Sequence, residues 1–143
     1  MATFMEPKET VKLLAEDDPV IRNLVRLMLS KEGYSVLTAN DGQEALEIGR
    51  RFKDPIHLLL TDKTMPRMNG LELAESILKK RSEIKIMIMS GETPDAVLHQ
   101  NTPDAFLRKP FMPPTLLKCV QRLLDSNFKG ICHESDRLKD LAA

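Results

Sequence analysis

Short apolar runs that barely alternate, separated by stripes of apolar residues at helical spacing, recur five times along this chain. A strand with one solvated face alternates polar and apolar residues, whereas runs such as HLLL at 57–60 and IMIM at 86–89 need cover on both faces. The pattern predicts strands over 11–15, 34–39, 56–61, 84–89 and 105–108. Between the first two, Val20, Ile21, Leu24, Val25 and Met28 stripe a helix, with Asp18 as N-cap, Pro19 at the first helical position and Gly33 as a stop. Ala45, Ile48, Gly49 and Phe52 stripe a second helix, ended before Pro55, and Leu71, Ala74, Ile77 and Leu78 a third. Between Pro94 and Gln100 there is room for a short fourth helix, and Leu116, Leu117, Val120, Leu123 and Leu124 form the last and clearest stripe. Right-handed crossovers and short connections then favour a doubly wound α/β fold around a five-stranded parallel sheet, with sites at the carboxyl ends of the strands.

At 143 residues the chain suits one domain and is too short for two ordinary ones. The expected division is an N-terminal extension over 1–9, the domain over 10–125, and a tail over 126–143 in which Ser135, Asp136, Leu138 and Leu141 allow a short helix. Twenty-one basic side chains balance 21 acidic ones, so no overall field draws nucleic acid or an anionic membrane. No apolar stretch approaches the roughly 20 residues that span a bilayer, and MATFMEPKET lacks the apolar core of a leader. A cytoplasmic protein with no direct nucleic-acid contact and no membrane insertion is expected, its two cysteines, Cys119 and Cys132, as reduced thiols.

The strand assignments bring four polar signals to one edge. Glu16, Asp17 and Asp18 come after the first strand, Asp62 after the third, Ser90 ends the fourth and Lys109 the fifth. Crowded carboxylates repel unless a cation compensates, and a hard divalent ion with oxygen ligands, Mg2+ above all, suits such a set. Lys109 adds a positive charge and Ser90 a hydroxyl donor beside Asp62, an arrangement that favours an anion there. A carboxylate nucleophile in that setting can accept a phosphoryl group.

The segments LLAEDDPVIR, ANDGQEALE, LLLTDKTMPRMNGLEL, IMSG and FLRKPF, spread over about residues 10–125, resemble the receiver domain of two-component response regulators. The resemblance implies a flavodoxin-like strand order 2-1-3-4-5 and a phosphorylation switch with self-catalysed phosphorylation and dephosphorylation rather than a conventional enzyme. Asp62 would accept the phosphoryl group from a sensor histidine kinase or phosphotransfer protein, and Lys109 would contact it. Counting back from Arg22 aligns Glu16 and Asp17 with the family's metal pair, Asp17 binding directly and Glu16 through water, with Asp18 the alternative. The Thr64 backbone carbonyl joins Asp62 as a metal ligand. Ser90 would report phosphorylation and Phe106 would serve as the aromatic switch, turning inward, with the readout spreading to Phe111 and Leu116. The resemblance also implies a cis bond before Pro110. Thr64 and Glu92 would flank the path of attacking water and tune hydrolysis.

Other residues have plainer readings. Cys132 and His133 have no second pair at ligand spacing and read as tail, the Met residues as core filling, and His57 as a satisfied or edge histidine. The stretch from Ser90 to Lys109 is short for a receiver, and Thr102-Pro103 stands where the family often has Gly-Ala. The residues after Asp125 are too few for an effector domain, so a stand-alone receiver or a piece of a longer regulator or hybrid kinase is expected, with a homodimer left open. Two rivals remain: a docking module independent of phosphorylation, and a haloacid-dehalogenase-like phosphatase, which wants an acidic side chain where this chain has Thr64.

Overall fold

The computed structural model describes residues 10–91, 103–125 and 128–132. Its elements in chain order are β1 (Val11–Ala15), α1 (Pro19–Lys31), β2 (Ser35–Ala39), α2 (Gly42–Arg51), β3 (Leu58–Asp62), α3 (Gly70–Leu78), β4 (Lys85–Ser90), β5 (Ala105–Arg108), α4 (Pro113–Asp125) and β6 (Gly130–Cys132). The strands form one sheet in the order β2-β1-β3-β4-β5-β6, every pair parallel. The expected order 2-1-3-4-5 is present, extended by one strand.

Successive side chains of a strand point to opposite faces, so each apolar run feeds two cores. Leu13, Leu59, Ile86, Ile88 and Phe106 pack under α2 and α3 with Ala45, Leu73 and Ile77. Leu14, Leu58, Leu60, Met87, Met89 and Leu107 pack under α1 and α4 with Val25, Leu29, Leu116 and Val120. Lys12 lies fully buried among the strand residues, its ammonium over the Tyr34 ring at 3.5 Å and donating to Thr10 Oγ1. Burial pulls its pKa down to about 8.

Local chemistry sets the element ends. Asp18 caps α1, its Oδ1 accepting from Val20 N at 2.9 Å and Ile21 N at 3.4 Å. Asn69 and Glu72 close a capping box at the start of α3, each bond 2.9 Å. The third strand starts and ends later than the sequence pattern predicts. The His57 ring is used at the sheet's lower edge, Nδ1 accepting from Val11 N at 3.0 Å, so it is a satisfied histidine. The short helix expected between Pro94 and Gln100, the extension over 1–9 and the helix around Ser135–Leu141 lie outside the described residues.

Two expectations are corrected at the C-terminal end. Residues 130–132 are a strand beside β5, not undifferentiated tail, pairing Ala105 with Gly130, Phe106 with Ile131 and Leu107 with Cys132. Cys119 and Cys132 are joined in a disulfide rather than standing as reduced thiols. The return of the chain along β5 brings together two sulfurs 13 residues apart in sequence, both in the core under α4. Composition carries no trace of that proximity.

The loop after β3 folds back so closely that Gly70 N donates to Lys63 O at 2.8 Å, and a Cβ at Gly70 would lie 2.3 Å from the Asp62 carbonyl oxygen. Backbone cannot yield as a flexible side-chain tip can. Gly70→Ala should therefore cost about 2 kcal/mol of stability in urea unfolding, at the level of overpacked sites. An unchanged midpoint and slope would show that the loop accommodates the methyl group.

Candidate functional site

Parallel pairing delivers the polar residues to one edge because every strand ends there pointing the same way. Ala15 pairs with Thr61, Asp62 with Met89 and Ser90 with Arg108, so the ends of β1, β3, β4 and β5 come into line. Backbone bonds fix the segments that leave them: Glu16 N to Ala39 O at 3.2 Å, Lys63 N to Met89 O at 2.8 Å, and Lys109 N to Ser90 O at 2.8 Å. The peptide bond Lys109-Pro110 is cis, as the resemblance implies.

Glu16, Asp17 and Asp62 converge, one carboxylate oxygen from each lying within 4.8 Å of the others. The Lys109 ammonium reaches across the sheet to donate to Asp62 Oδ1 at 3.0 Å and to Glu16 Oε1 at 3.4 Å. Glu16 is 1% exposed, its other oxygen accepting from Asp18 N at 3.2 Å, while Arg22 donates to the Glu16 carbonyl at 2.8 Å and ties α1 to this turn. Asp17 is exposed and Asp18 faces its helix, so Glu16 and Asp17 meet Asp62 while Asp18 serves as cap.

Charge at this edge is held at a cost. Burial raises the pKa of Asp62, Lys109 working against that rise and the Asp17 charge adding to it. Burial also raises Glu16, helped by the Asp62 charge and opposed by the Asp18 amide and Lys109. For Lys109 burial acts downward, but its bonds and charge pairing with Asp62 and Glu16 prevail and raise it. Like charges about 4 Å apart repel by about 4 kcal/mol at a near-surface dielectric, and one ammonium cannot neutralise three carboxylates. The donors are all hard oxygens, the set that suits a small divalent cation.

Ser90 is buried at the end of β4, next to the strand that carries Lys109. Thr64 is exposed in the loop two residues beyond Asp62. Phe106 is 1% exposed, already inside the core beneath α2 and α3. An inward turn of that ring therefore has no outer starting position in this conformation. Leu116 is buried and Phe111 half-buried in the opposite core. Glu92 lies outside the described residues.

Sequence reasoning missed a clamp on the loop after Asp62. Arg67, at φ 68°, reaches Asp41 Oδ2 at 2.9 Å, while Asp41 Oδ1 caps α2 by accepting from Glu44 N at 2.8 Å. These bonds, the Glu44 amide first, hold the Asp41 carboxyl below its ordinary pKa. The only sequence signal is NDGQE, an Asp three residues ahead of a Glu at a helix start.

Fold and site together define a doubly wound α/β domain with an acidic cluster and a lysine at its strand ends. The chain belongs to the response regulator receiver domain family, whose sequence pattern matches residues 13–121. It is 36% identical over 116 residues to response regulator RR06 of Streptococcus pneumoniae, covering 78% of this chain and 52% of that one. It is 34% identical over 127 residues to sensor kinase CckA of Brucella abortus, covering 87% of this chain and 13% of that protein. The chain thus spans about half or less of the curated relatives named here. Among solved structures, chemotaxis protein CheY4 of Vibrio cholerae superposes with a TM-score of 0.76 at 31% identity, over 81% of this chain and 99% of that one. No helix among the described residues is long and apolar enough to cross a membrane.

A raised carboxyl pKa has a signed consequence for stability. Ionising Asp62 costs the folded state more than the unfolded chain, so the penalty is full above its folded pKa and fades as pH falls toward the ordinary 3.8. Without added divalent cation, Asp62→Asn should therefore melt a few degrees above wild type at neutral pH, the gain shrinking through the acid range. A variant that melts lower at neutral pH would mean that the Lys109 pair outweighs the burial cost.

Proposed function

We propose that this domain is a phosphorylation-dependent signalling switch that accepts a phosphoryl group on Asp62 from the phosphohistidine of a sensor kinase or phosphotransfer protein, with Mg2+ as cofactor. The observation that carries the reading is the Lys109 ammonium 3.0 Å from Asp62, beside the oxygens of Glu16, Asp17 and Asp62 gathered within 4.8 Å. This donor set fits a magnesium ion held by Asp17, Asp62 and the Thr64 carbonyl, with Glu16 acting through water. When bound, the ion would supply the positive charge that the carboxylates lack and the transferring phosphoryl oxygens need.

The chain's own residues account for the rest. A carboxylate oxygen of Asp62 attacks phosphorus, the P–O bond forms as the P–N bond to the donor imidazole breaks, and the imidazole leaves. Lys109 exchanges a partly neutralised carboxylate for the more highly charged phosphoryl oxygens, and the Ser90 hydroxyl donates to the same group. Thr64 tunes hydrolysis of the phosphorylated state from the loop beyond Asp62, a role the sequence resemblance extends to Glu92. The new charge beside Ser90 biases β4 and β5, and Phe111 and Leu116 at the start of α4 carry the readout to a partner. The working unit is the domain over residues 10–125 together with β6, acting in the cytoplasm.

Intact-mass measurement after incubation with a small phosphodonor and magnesium tests this reading. Wild type should gain one acid-labile phosphoryl group, Asp62→Asn none, and Lys109→Ala should label at least tenfold more slowly or fail to signal. Equal labelling of folded Asp62→Asn would refute the assignment; turnover of many donor equivalents without a labelled intermediate would point to a phosphatase, and no labelling of wild type to a docking module.

A further inference from the structure

We propose that Cys119 and Cys132 form a reversible thiol–disulfide site that latches β6 over the outer edge of β5, so that a dithiol reductant releases that edge. The inference is independent of phosphoryl transfer to Asp62.

Both sulfurs lie in the core with their residues 1% exposed, Cys119 on the inner face of α4 and Cys132 at the end of β6. Apart from that bond, β6 is held by three ladder pairs with β5 and by the half-buried Ile131 and Phe128, which pack against the two cores. It is three residues long and, among the described residues, pairs on one side only. Gly130 N donates to Asp104 O at 3.1 Å. Lys129 approaches Asp104 at 3.5 Å with its own side chain 65% exposed, the kind of ion pair that contributes little. Arg122 lies over the Phe128 ring at 3.9 Å, with its side chain on the outward side of α4. A short edge strand of this kind opens locally far more often than the inner strands do.

Opening exposes Cys132 first, because Cys119 stays with its helix. A thiolate of the reductant attacks Cys132 Sγ, forming a mixed disulfide as the protein's S–S bond breaks, and Cys119 leaves as a thiolate that takes up a proton. The reductant's second thiol then attacks its own sulfur in the mixed disulfide and frees Cys132. Two electrons and two protons pass to the protein, and the reductant departs as a disulfide. Reduced Cys119 remains a small apolar side chain in the core under α4, so the helix keeps its packing. The strap loses its cross-link, and with it the restriction of a 13-residue ring, which shifts opening by roughly 100-fold. β5 then presents unpaired backbone groups along residues 105–107, the surface that β6 otherwise occupies.

The test uses the whole chain in two redox states. After mild oxidation with oxidised glutathione, the denatured protein should take up no alkyl group, and after dithiothreitol two. Native-state hydrogen exchange should then quicken about 100-fold at residues 105–108 and 130–132 on reduction, with Val11–Ala15 and Leu58–Asp62 unchanged. Cys119→Ala with Cys132→Ala should fold and exchange like the reduced chain. Free thiols after oxidation, exchange that ignores redox state, or loss of protection across β1 and β3 on reduction would each overturn the proposal. The last of these, or a double variant that does not fold, would make the bond a fixed staple.

Discussion

The contact between the Lys109 ammonium and the carboxylates of Asp62 and Glu16 sets the terms for everything at the carboxyl edge of this sheet. Among the described residues, three carboxylates gather within 4.8 Å of one another, and the Lys109 ammonium bonds two of them. Native domains are stable by only about 5–15 kcal/mol, so repulsion of a few kcal/mol per pair is a substantial fraction of the total. A divalent cation among these oxygens would relieve that repulsion.

The fold makes that concentration of charge possible. Because all neighbouring strands are parallel, the residues that terminate β1, β3, β4 and β5 share one edge, and the leucine- and methionine-rich runs beneath them anchor the edge in two cores. Loops alone would not hold Asp62 and Lys109 at 3.0 Å across 47 residues of sequence. The turn at Glu16 is held from three sides, by Ala39, Arg22 and Lys109. The loop beyond Asp62 is held by the bond from Gly70 N to Lys63 O, with the exposed Arg67–Asp41 pair lying across it. Geometry of this kind is what phosphoryl transfer by positioning, as proposed for this site, would require.

Buried runs, the Asp18-Pro19 helix start and the polar strand ends were legible in the sequence because each is a local pattern with a single physical meaning. Asp18 as cap and Glu16 with Asp17 as neighbours of Asp62 follow from counting back from Arg22 against the pattern of the family the sequence resembles, with Asp18 left as the alternative until the geometry separates them. The start of β3 was misplaced because Ile56 and His57 are as apolar or as tolerant as strand residues, and only the His57–Val11 bond shows that they form the approach to the strand. β6 was invisible: three residues, GIC, are too few for a period to emerge. The disulfide depends on a chain reversal that no spacing rule encodes. Lys12 in the middle of a buried strand could be read only as a break in an apolar run, since its accommodation rests on Tyr34 and Thr10.

The central claim is that the acidic cluster is a cation site organised around Asp17 and Asp62. Titration with magnesium followed by amide-resolved NMR tests it without any phosphoryl donor. The account predicts saturable shifts at residues 16–18, 62–64 and 109, with the affinity of Asp17→Asn weakened at least tenfold. Equal affinity in wild type and Asp17→Asn, or shifts scattered over the surface without saturation, would contradict it.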